Sequence, residues 1–325
     1  MSLNLISNNR KPLMAIAMLW IAIYHSYFPL TFKPFSFVLS KCGYGGVDLF
    51  IFLSGFGIYY ACKKENDYLV YIKRRLLKIL PYSIPLCILS ALLNGYGMLD
   101  TIIDCLGLSI YFRNNLIGWY VSFILLMYLI SPLYYKVFKR KPVVITITVC
   151  SFVFLVSFLV DTALFSYVYM RATVYFLGFC FAHFNENNKI NSKWCWLLVF
   201  VMIIGWIIMY TMYHYFGNDV DYIWPMFLIT PGTLLLFAWV VEKTKYLKRF
   251  LEYIGDYTFQ FYLIHLEVIK ILYSKYDLLY IEGVGFDWWL NLFGIVISFI
   301  LAVVFKKLID TIINVIINLK WRTNK

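Results

Sequence analysis

The chain has 325 residues, of which 62% are hydrophobic and only 14% are charged, and its mean hydropathy is +0.75. Soluble domains are about 45–50% apolar and about 25% charged, so this composition excludes an ordinary soluble domain, a disordered chain and a collagen-like fibre. Lys and Arg outnumber Asp and Glu by 29 to 17. In a membrane protein such an excess faces anionic lipid headgroups, so it predicts contact with membrane lipids and no nucleic-acid partner.

Apolar runs long enough to span a bilayer recur along the whole chain. A spanning helix needs about 20 residues, and about ten runs of that length separate the charged clusters. They cover residues 12–31, 43–62, 78–95, 117–135, 142–160, 163–184, 194–216, 222–241, 253–274 and 286–305. If the N-terminus is cytoplasmic, most Lys and Arg residues fall in cytoplasmic loops, as the positive-inside rule requires for an even number of spans. We predict an all-α bundle of about ten transmembrane helices with both termini cytoplasmic, as one domain over residues 1–325 without an extramembrane module.

Motifs for metal and nucleotide chemistry are absent from the sequence. The seven cysteines include no C-x-x-C pair, so neither a zinc site nor a redox motif is indicated. The sequence also lacks a P-loop, an H-E-x-x-H helix and a G-x-G-x-x-G turn. Cys42 and Cys105 fall in predicted external loops, where a disulfide is one open pairing. We therefore predict that the protein uses no metal.

Ionisable side chains are rare in the predicted spans, where each costs about 2.5 kcal/mol or more. His25 and Asp48 lie in the outer halves of the first two spans, and His265 lies near the middle of the ninth. Such side chains usually face the bundle interior, so these three predict a shared polar cavity. The alternatives are an interhelical hydrogen bond for His25 and a structural partnership with an arginine or a histidine for Asp48. The other candidates are Arg171, Asp256, Glu267 and Lys270, the last two spaced for an intrahelical ion pair, with His183 and His214 nearer span ends.

A basic run joins the second and third spans on the predicted cytoplasmic side. It contains Arg74, Arg75 and Lys78 on neighbouring helical turns. Guanidinium groups pair with phosphate oxygens through two parallel hydrogen bonds, and Lys adds a point charge, so one interpretation is a phosphate-binding patch. The alternative is an anchor at the membrane surface. Composition does not decide between the two.

Five stretches in chain order resemble the bacterial acyltransferase 3 family of membrane acyltransferases. They are residues 15–26, 45–58, 71–81, 119–132 and 251–265. The segment GVDLFIFLSGF, followed by the basic run and a proline, is specific in combination. The resemblance implies a multi-pass enzyme of the bacterial cytoplasmic membrane that moves an acyl group, often acetyl, from acyl-coenzyme A to a hydroxyl. The acceptor it implies is a cell-surface or secreted glycan, or its lipid-linked precursor.

The resemblance also assigns site residues. His25 falls on the family's histidine in the first helix, and Asp48 falls on the acidic position of its GVD segment. The family commonly has an arginine eleven residues before that histidine, where this chain has Met14. Arg10 and Lys11 lie about one helical turn away and are candidates to replace it.

Arg75 and Lys78 occupy the family's R-x-x-R motif, with Lys in the second place. Together with Arg74 they are expected to anchor the phosphates of acetyl-coenzyme A or another acyl-coenzyme A.

A mechanism follows as a hypothesis. His25 acts as general base on the acceptor hydroxyl, while Asp48 holds the imidazole or stabilises the imidazolium. Arg171 or His265 polarises the thioester carbonyl, an expectation that rests on similar depth in the membrane. An acyl-histidine intermediate is the alternative to direct transfer. Because the basic run lies inside and His25 toward the outside, the acyl group would cross the membrane.

Two other functions are compatible with these residues. In an exporter of polysaccharide or lipid-linked glycan, the same buried charges would line a transport path. An acyltransferase acting on a free amine or an antibiotic would share every residue on the donor side. The sequence identifies no protein partner.

Overall fold

The computed structural model describes residues 1–25, 43–113, 118–159, 168–216, 224–275 and 288–323. Within these ranges the regular secondary structure is helical, and no strand occurs. In chain order the helices are α1 (Asn4–Asn8), α2 (Arg10–His25), α3 (Tyr44–Lys64), α4 (Tyr68–Asn94), α5 (Met98–Cys105), α6 (Ser109–Arg113), α7 (Trp119–Phe138), α8 (Pro142–Leu159), α9 (Arg171–Glu186), α10 (Ser192–Phe216), α11 (Met226–Lys243), α12 (Lys245–Gly255), α13 (Thr258–Lys275) and α14 (Trp288–Thr323).

Among the described residues, six helices are long and apolar enough to cross a membrane. They are α3, α4, α7, the Ser192–Tyr215 part of α10, α11 and the Leu290–Ile316 part of α14. The segment Pro142–Val156 of α8 is apolar but shorter. The all-helical class with several membrane-spanning helices is therefore confirmed. The full count of about ten spans and the cytoplasmic orientation of both ends stay predictions.

Helix α3 lies at the centre of the bundle. In the most apolar stretch of α3, 83% of the residues are buried, whereas in that of α4 only 17% are buried. Helices α2, α7, α9 and α11 all pack against α3. Helices α4, α10 and α14 instead expose many large apolar side chains, such as Leu92, Phe200 and Val304. In a bilayer these outer helices face lipid, where apolar side chains are at no disadvantage.

Two glycines allow α3 and α9 to approach each other closely. A Cβ atom on Gly55 would lie 2.1 Å from the carbonyl oxygen of Tyr175, and one on Gly178 would lie 2.2 Å from that of Phe52. Neither distance is sterically possible, so only glycine fits at either position. Small residues mark close helix contacts in membrane proteins. This reciprocal contact sets the position of α9 relative to the central helix.

The basic run belongs to a helix and not to a loop. The Asp67 side chain accepts a hydrogen bond of 3.0 Å from the Val70 N–H, and this cap starts α4 before the run. Gly95 ends the helix with a φ of 70°, a conformation that favours glycine. Pro81 and Pro85 lie inside α4, where a membrane helix tolerates them. The basic residues and the apolar segment after them therefore form one continuous helix.

Candidate active site

Two histidines that are far apart in the sequence meet inside the bundle. His25 ends α2, and His265 lies on α13. Their ring centroids are 5.4 Å apart, with the ring planes tilted by 51°. His265 is fully buried, whereas His25 is partly exposed. Of the three side chains expected to share one cavity, these two are brought into contact.

One hydrogen bond fixes the tautomer of His265. Its Nδ1 atom lies 2.6 Å from the backbone oxygen of Tyr262. A carbonyl oxygen can only accept, so Nδ1 carries the hydrogen. Nε2 then holds a lone pair, and it is buried without a hydrogen-bond partner among the described residues. Neutral His265 can therefore take up a proton at Nε2, but it has no free N–H with which to polarise a carbonyl.

Asp48 of α3 and Arg171 of α9 form a buried ion pair. The Asp48 Oδ2 atom lies 2.8 Å from Arg171 Nη1, and the two side chains are 0% and 3% exposed. Arg171 also donates to the backbone oxygen of Tyr44 at 3.3 Å, and its guanidinium lies 5.2 Å from the centre of the Trp119 ring. Arg171 is thus held by protein groups on several sides, which leaves it poorly placed to polarise a substrate carbonyl.

Asp48 does not support His25 directly. Within the described ranges no hydrogen bond or ion pair joins the two side chains, and Asp48 Oδ1 has no hydrogen-bond partner there. No contact within the described ranges therefore supports the expectation that Asp48 holds the His25 imidazole. The sequence left open a structural partnership of Asp48 with an arginine or a histidine, and in the structure the partner is Arg171. The carboxylate orients Arg171 and ties α3 to α9.

Three cations gather near the first residue of α2 and the first half of α4. The charges of Arg10, Arg75 and Lys78 lie within electrostatic reach of one another. In the part of the chain that the structure describes, none of them has a carboxylate partner. The Nε atoms of Arg10 and Arg75 are buried without a hydrogen-bond partner there, and the Arg75 guanidinium lies 5.5 Å from the centre of the Tyr71 ring. Uncompensated cations in one place favour the binding of an anion such as phosphate. We call these three residues the basic cluster.

Arg74 lies outside the basic cluster, although it was expected in the same patch. Its Nη1 atom pairs with Glu65 Oε2 at 2.5 Å, and its side chain is 59% exposed. The physical reason is helical geometry, because adjacent residues point about 100° apart around the axis.

Arg10, and not Arg74, joins Arg75 and Lys78 in the basic cluster. Gly57 leaves room for Arg10, because a Cβ atom on Gly57 would lie 2.2 Å from Arg10 Nη2. The signal for Arg10 was its position one turn before Met14. The other candidate for that role, Lys11, pairs with Asp256 at 2.6 Å.

The remaining ionisable candidates serve contacts between helices. Glu267 and Lys270 do not pair with each other. Glu267 Oε1 accepts from Ser90 Oγ at 2.7 Å, and Lys270 Nζ donates to Asn94 Oδ1. Both therefore join α13 to α4.

Two histidines lie away from the His25–His265 contact. The His183 Nδ1 atom lies 3.2 Å from the Tyr59 hydroxyl oxygen. His214 is exposed and stacks on Tyr210.

The cysteines within the described residues are free thiols. Cys42 lies outside the described residues, and the thiol of Cys105 interacts with that of Cys87. No group of three or more metal-ligating side chains occurs within the described residues.

Comparison with known proteins places this site in a family. Curated proteins and solved structures give no match. A family model described as an acyltransferase domain, Acyl_transf_3, matches residues 13–307. The matched range holds both histidines, the buried ion pair and two of the three cluster residues, while Arg10 precedes it. With most of its length matched, and with apolar helices that can cross a membrane, the chain belongs to the acyltransferase 3 family and is a membrane acyltransferase.

Proposed function

We propose that this protein transfers an acyl group, in the simplest case acetyl, from acyl-coenzyme A to a hydroxyl group of a glycan. The acceptor is a cell-surface or secreted glycan or its lipid-linked precursor, and the enzyme lies in the bacterial cytoplasmic membrane. One observation carries the proposal: the contact between His25 and His265. A family of acyltransferases needs a base for the acceptor hydroxyl, and this contact places two imidazoles together inside the bundle.

His25 is the general base in this proposal. It takes the proton of the acceptor hydroxyl as that oxygen attacks the thioester carbonyl. The tetrahedral intermediate then collapses, the carbon–sulfur bond breaks, and the coenzyme thiolate leaves with the proton from the imidazolium. His25 is partly exposed, so a substrate can reach it, whereas His265 is fully buried. The ring of His265 lies next to that of His25, and the lone pair at its Nε2 is a second place for the proton.

The basic cluster is the donor site in this proposal. Arg10 and Arg75 supply guanidinium groups for the coenzyme phosphates, and Lys78 supplies a further positive charge. Arg10 and His25 are the first and last residues of α2. At 1.5 Å per residue, they are separated by about 22 Å along the helix axis. The pantetheine arm must cover that distance for the thioester to reach the histidine.

The test follows a labelled acetyl group. Membranes containing the wild type, His25→Ala or Arg75→Ala/Lys78→Ala receive acetyl-coenzyme A labelled in the acetyl group. Label is then measured in lipid-linked and polymeric glycan at equal protein level, with Arg74→Ala as the matched control. We expect transfer by the wild type and by Arg74→Ala, and none by the other two variants.

If no label moves with acetyl or longer donors, although glycan reaches the surface only when the protein is present, the enzyme proposal fails. Glycan export would then explain the protein better.

A further inference from the structure

A cavity separate from the histidine contact lies between α4, α7, α13 and α14. Its volume is about 410 Å³, which is within the range of small-molecule sites, about 300–1,000 Å³. Most of its wall is apolar, with leucines such as Leu86 and Leu263. Leu93, Val304 and Leu308 also line it and are 59%, 58% and 56% exposed. Because α4 and α14 are outer helices, the cavity opens sideways, toward lipid.

The wall also carries polar atoms that lack partners. Ser83 and Ser122 are among the residues that line the cavity, but each is only 2% exposed, and their hydroxyl oxygens are buried behind its surface. Neither hydroxyl has a hydrogen-bond partner among the described residues. An unsatisfied buried hydroxyl is costly, and a serine side chain can turn about its Cα–Cβ bond to meet an oxygen atom on a ligand in the cavity. An apolar wall with two such hydroxyls suits a hydrocarbon chain that carries oxygen near its head.

The cavity touches the site without being part of it. Leu263 and Glu267 line it, one turn apart on α13, while His265, between them in the sequence, is not among its lining residues.

Two contacts nevertheless connect the regions. Tyr262 lines the cavity, and its ring centroid is 5.8 Å from that of His265. The Tyr262 ring centroid also lies 5.1 Å from that of Tyr120, which is two residues before Ser122. The end of the cavity near Tyr262 and Ser122 is therefore the end nearest the reacting groups.

We infer that this cavity holds the hydrocarbon chain of the membrane lipid that carries the acceptor, with the lipid's head at the end near Tyr262 and Ser122. That the lipid carries the acceptor rests on the proposed function. That a lipid chain occupies the cavity rests on the cavity alone. The sideways opening admits a chain from the bilayer, and the two hydroxyls receive oxygens near its head. Such a site would select a lipid-linked acceptor over the same glycan without lipid.

The first test does not depend on activity. The full-length protein in lipid nanodiscs is irradiated with a long-chain alkyl phosphate that has a diazirine in the middle of its chain, and labelled peptides are identified by mass spectrometry. We expect label in residues 86–93 and 263–271. Leu93→Trp should fill the mouth of the cavity and lower this label about tenfold. That loss in binding is what excluding about two methylene groups of the chain from the cavity would cause. Leu92→Trp is the matched control, because Leu92 is 77% exposed and does not line the cavity.

Three results would overturn the lipid site. Label could fall on the outer faces of all helices alike, Leu93→Trp and Leu92→Trp could behave identically, or an excess of palmitoyl-coenzyme A could remove the label. The last result would assign the cavity to the acyl chain of the donor.

The second test concerns the acceptor. Leu93→Trp should raise KM for a lipid-linked acceptor and leave transfer to a soluble oligosaccharide unchanged, whereas Leu92→Trp should alter neither. Equal effects on both acceptors would overturn the assignment of the lipid as carrier. If the wild type acylates neither acceptor and the label still maps to the cavity, the proposed function fails and the lipid site stands.

Discussion

The Asp48 carboxylate and the Arg171 guanidinium form an ion pair of 2.8 Å between α3 and α9 that is almost completely shielded from solvent. The pair lies on the two helices whose backbones Gly55 and Gly178 allow to approach closely. A buried ion pair contributes little over apolar packing, but a lone buried charge is costly. Asp48 is therefore needed chiefly because Arg171 is there.

The ion pair predicts an unequal response to single and double substitution. Asp48→Ala leaves the guanidinium uncompensated and should lower the free energy of unfolding by about 3–5 kcal/mol. The double variant Asp48→Leu/Arg171→Met should recover most of that loss. Thermal unfolding in detergent, followed by size-exclusion chromatography, measures both. A single variant that melts like the wild type would contradict the structural role assigned to Asp48.

The close approach of α3 and α9 predicts that side chains are rejected at Gly55 and Gly178. A Cβ at either position meets a backbone carbonyl of the other helix within 2.2 Å. Gly55→Leu and Gly178→Leu should each push the helices apart and abolish a monodisperse folded peak. Gly97→Leu is the control, since its Cβ would meet its nearest neighbour at 3.8 Å. If Gly55→Leu and Gly97→Leu gave equal yields, the packing described here would be wrong.

The histidine contact predicts which histidines matter for transfer. His25→Ala should lower kcat by about 10²–10⁴, the contribution usual for general acid–base catalysis. His265→Ala should lower it less, because its Nε2 atom is only a second acceptor for the proton. His214→Ala should retain full activity, because His214 is exposed and far along the chain from the site. Rates of acetyl transfer at matched folded protein measure this order, and equal losses at His25 and His214 would exclude the assigned base.

The basic cluster predicts a difference between neighbouring arginines. Arg10→Ala and Arg75→Ala should each raise KM for acyl-coenzyme A about tenfold to a hundredfold, the loss expected for a hydrogen bond to a charged group. Arg74→Ala removes the same charge from the next position and should change KM little, because Arg74 pairs with Glu65. Titration of transfer rate against donor concentration separates these cases. Equal effects at positions 74 and 75 would mean that only overall surface charge matters.

The amino-acid sequence alone determined the class of this protein. Long apolar runs separated by basic clusters can satisfy their backbone groups in a bilayer only as helices or closed barrels, and their length matches helices. The motif around Asp48 and the basic run indicated the family. These signals are local, since they depend on composition and on the order of residues along one segment.

The tertiary structure decided which charged groups act together. Spacing suggested pairs within one segment, such as Arg74 with Arg75 and Glu267 with Lys270, yet each of these pairs is split between different partners. Spacing could not reveal that Asp48 meets Arg171. Depth in the membrane predicted one cavity for His25 and His265, but it could not show that their rings lie in contact. The partner of a buried charge depends on how each helix is rotated about its axis and which helix lies opposite. Those two quantities are set by packing between segments, as at Gly55 and Gly178, and not by the pattern within any one of them.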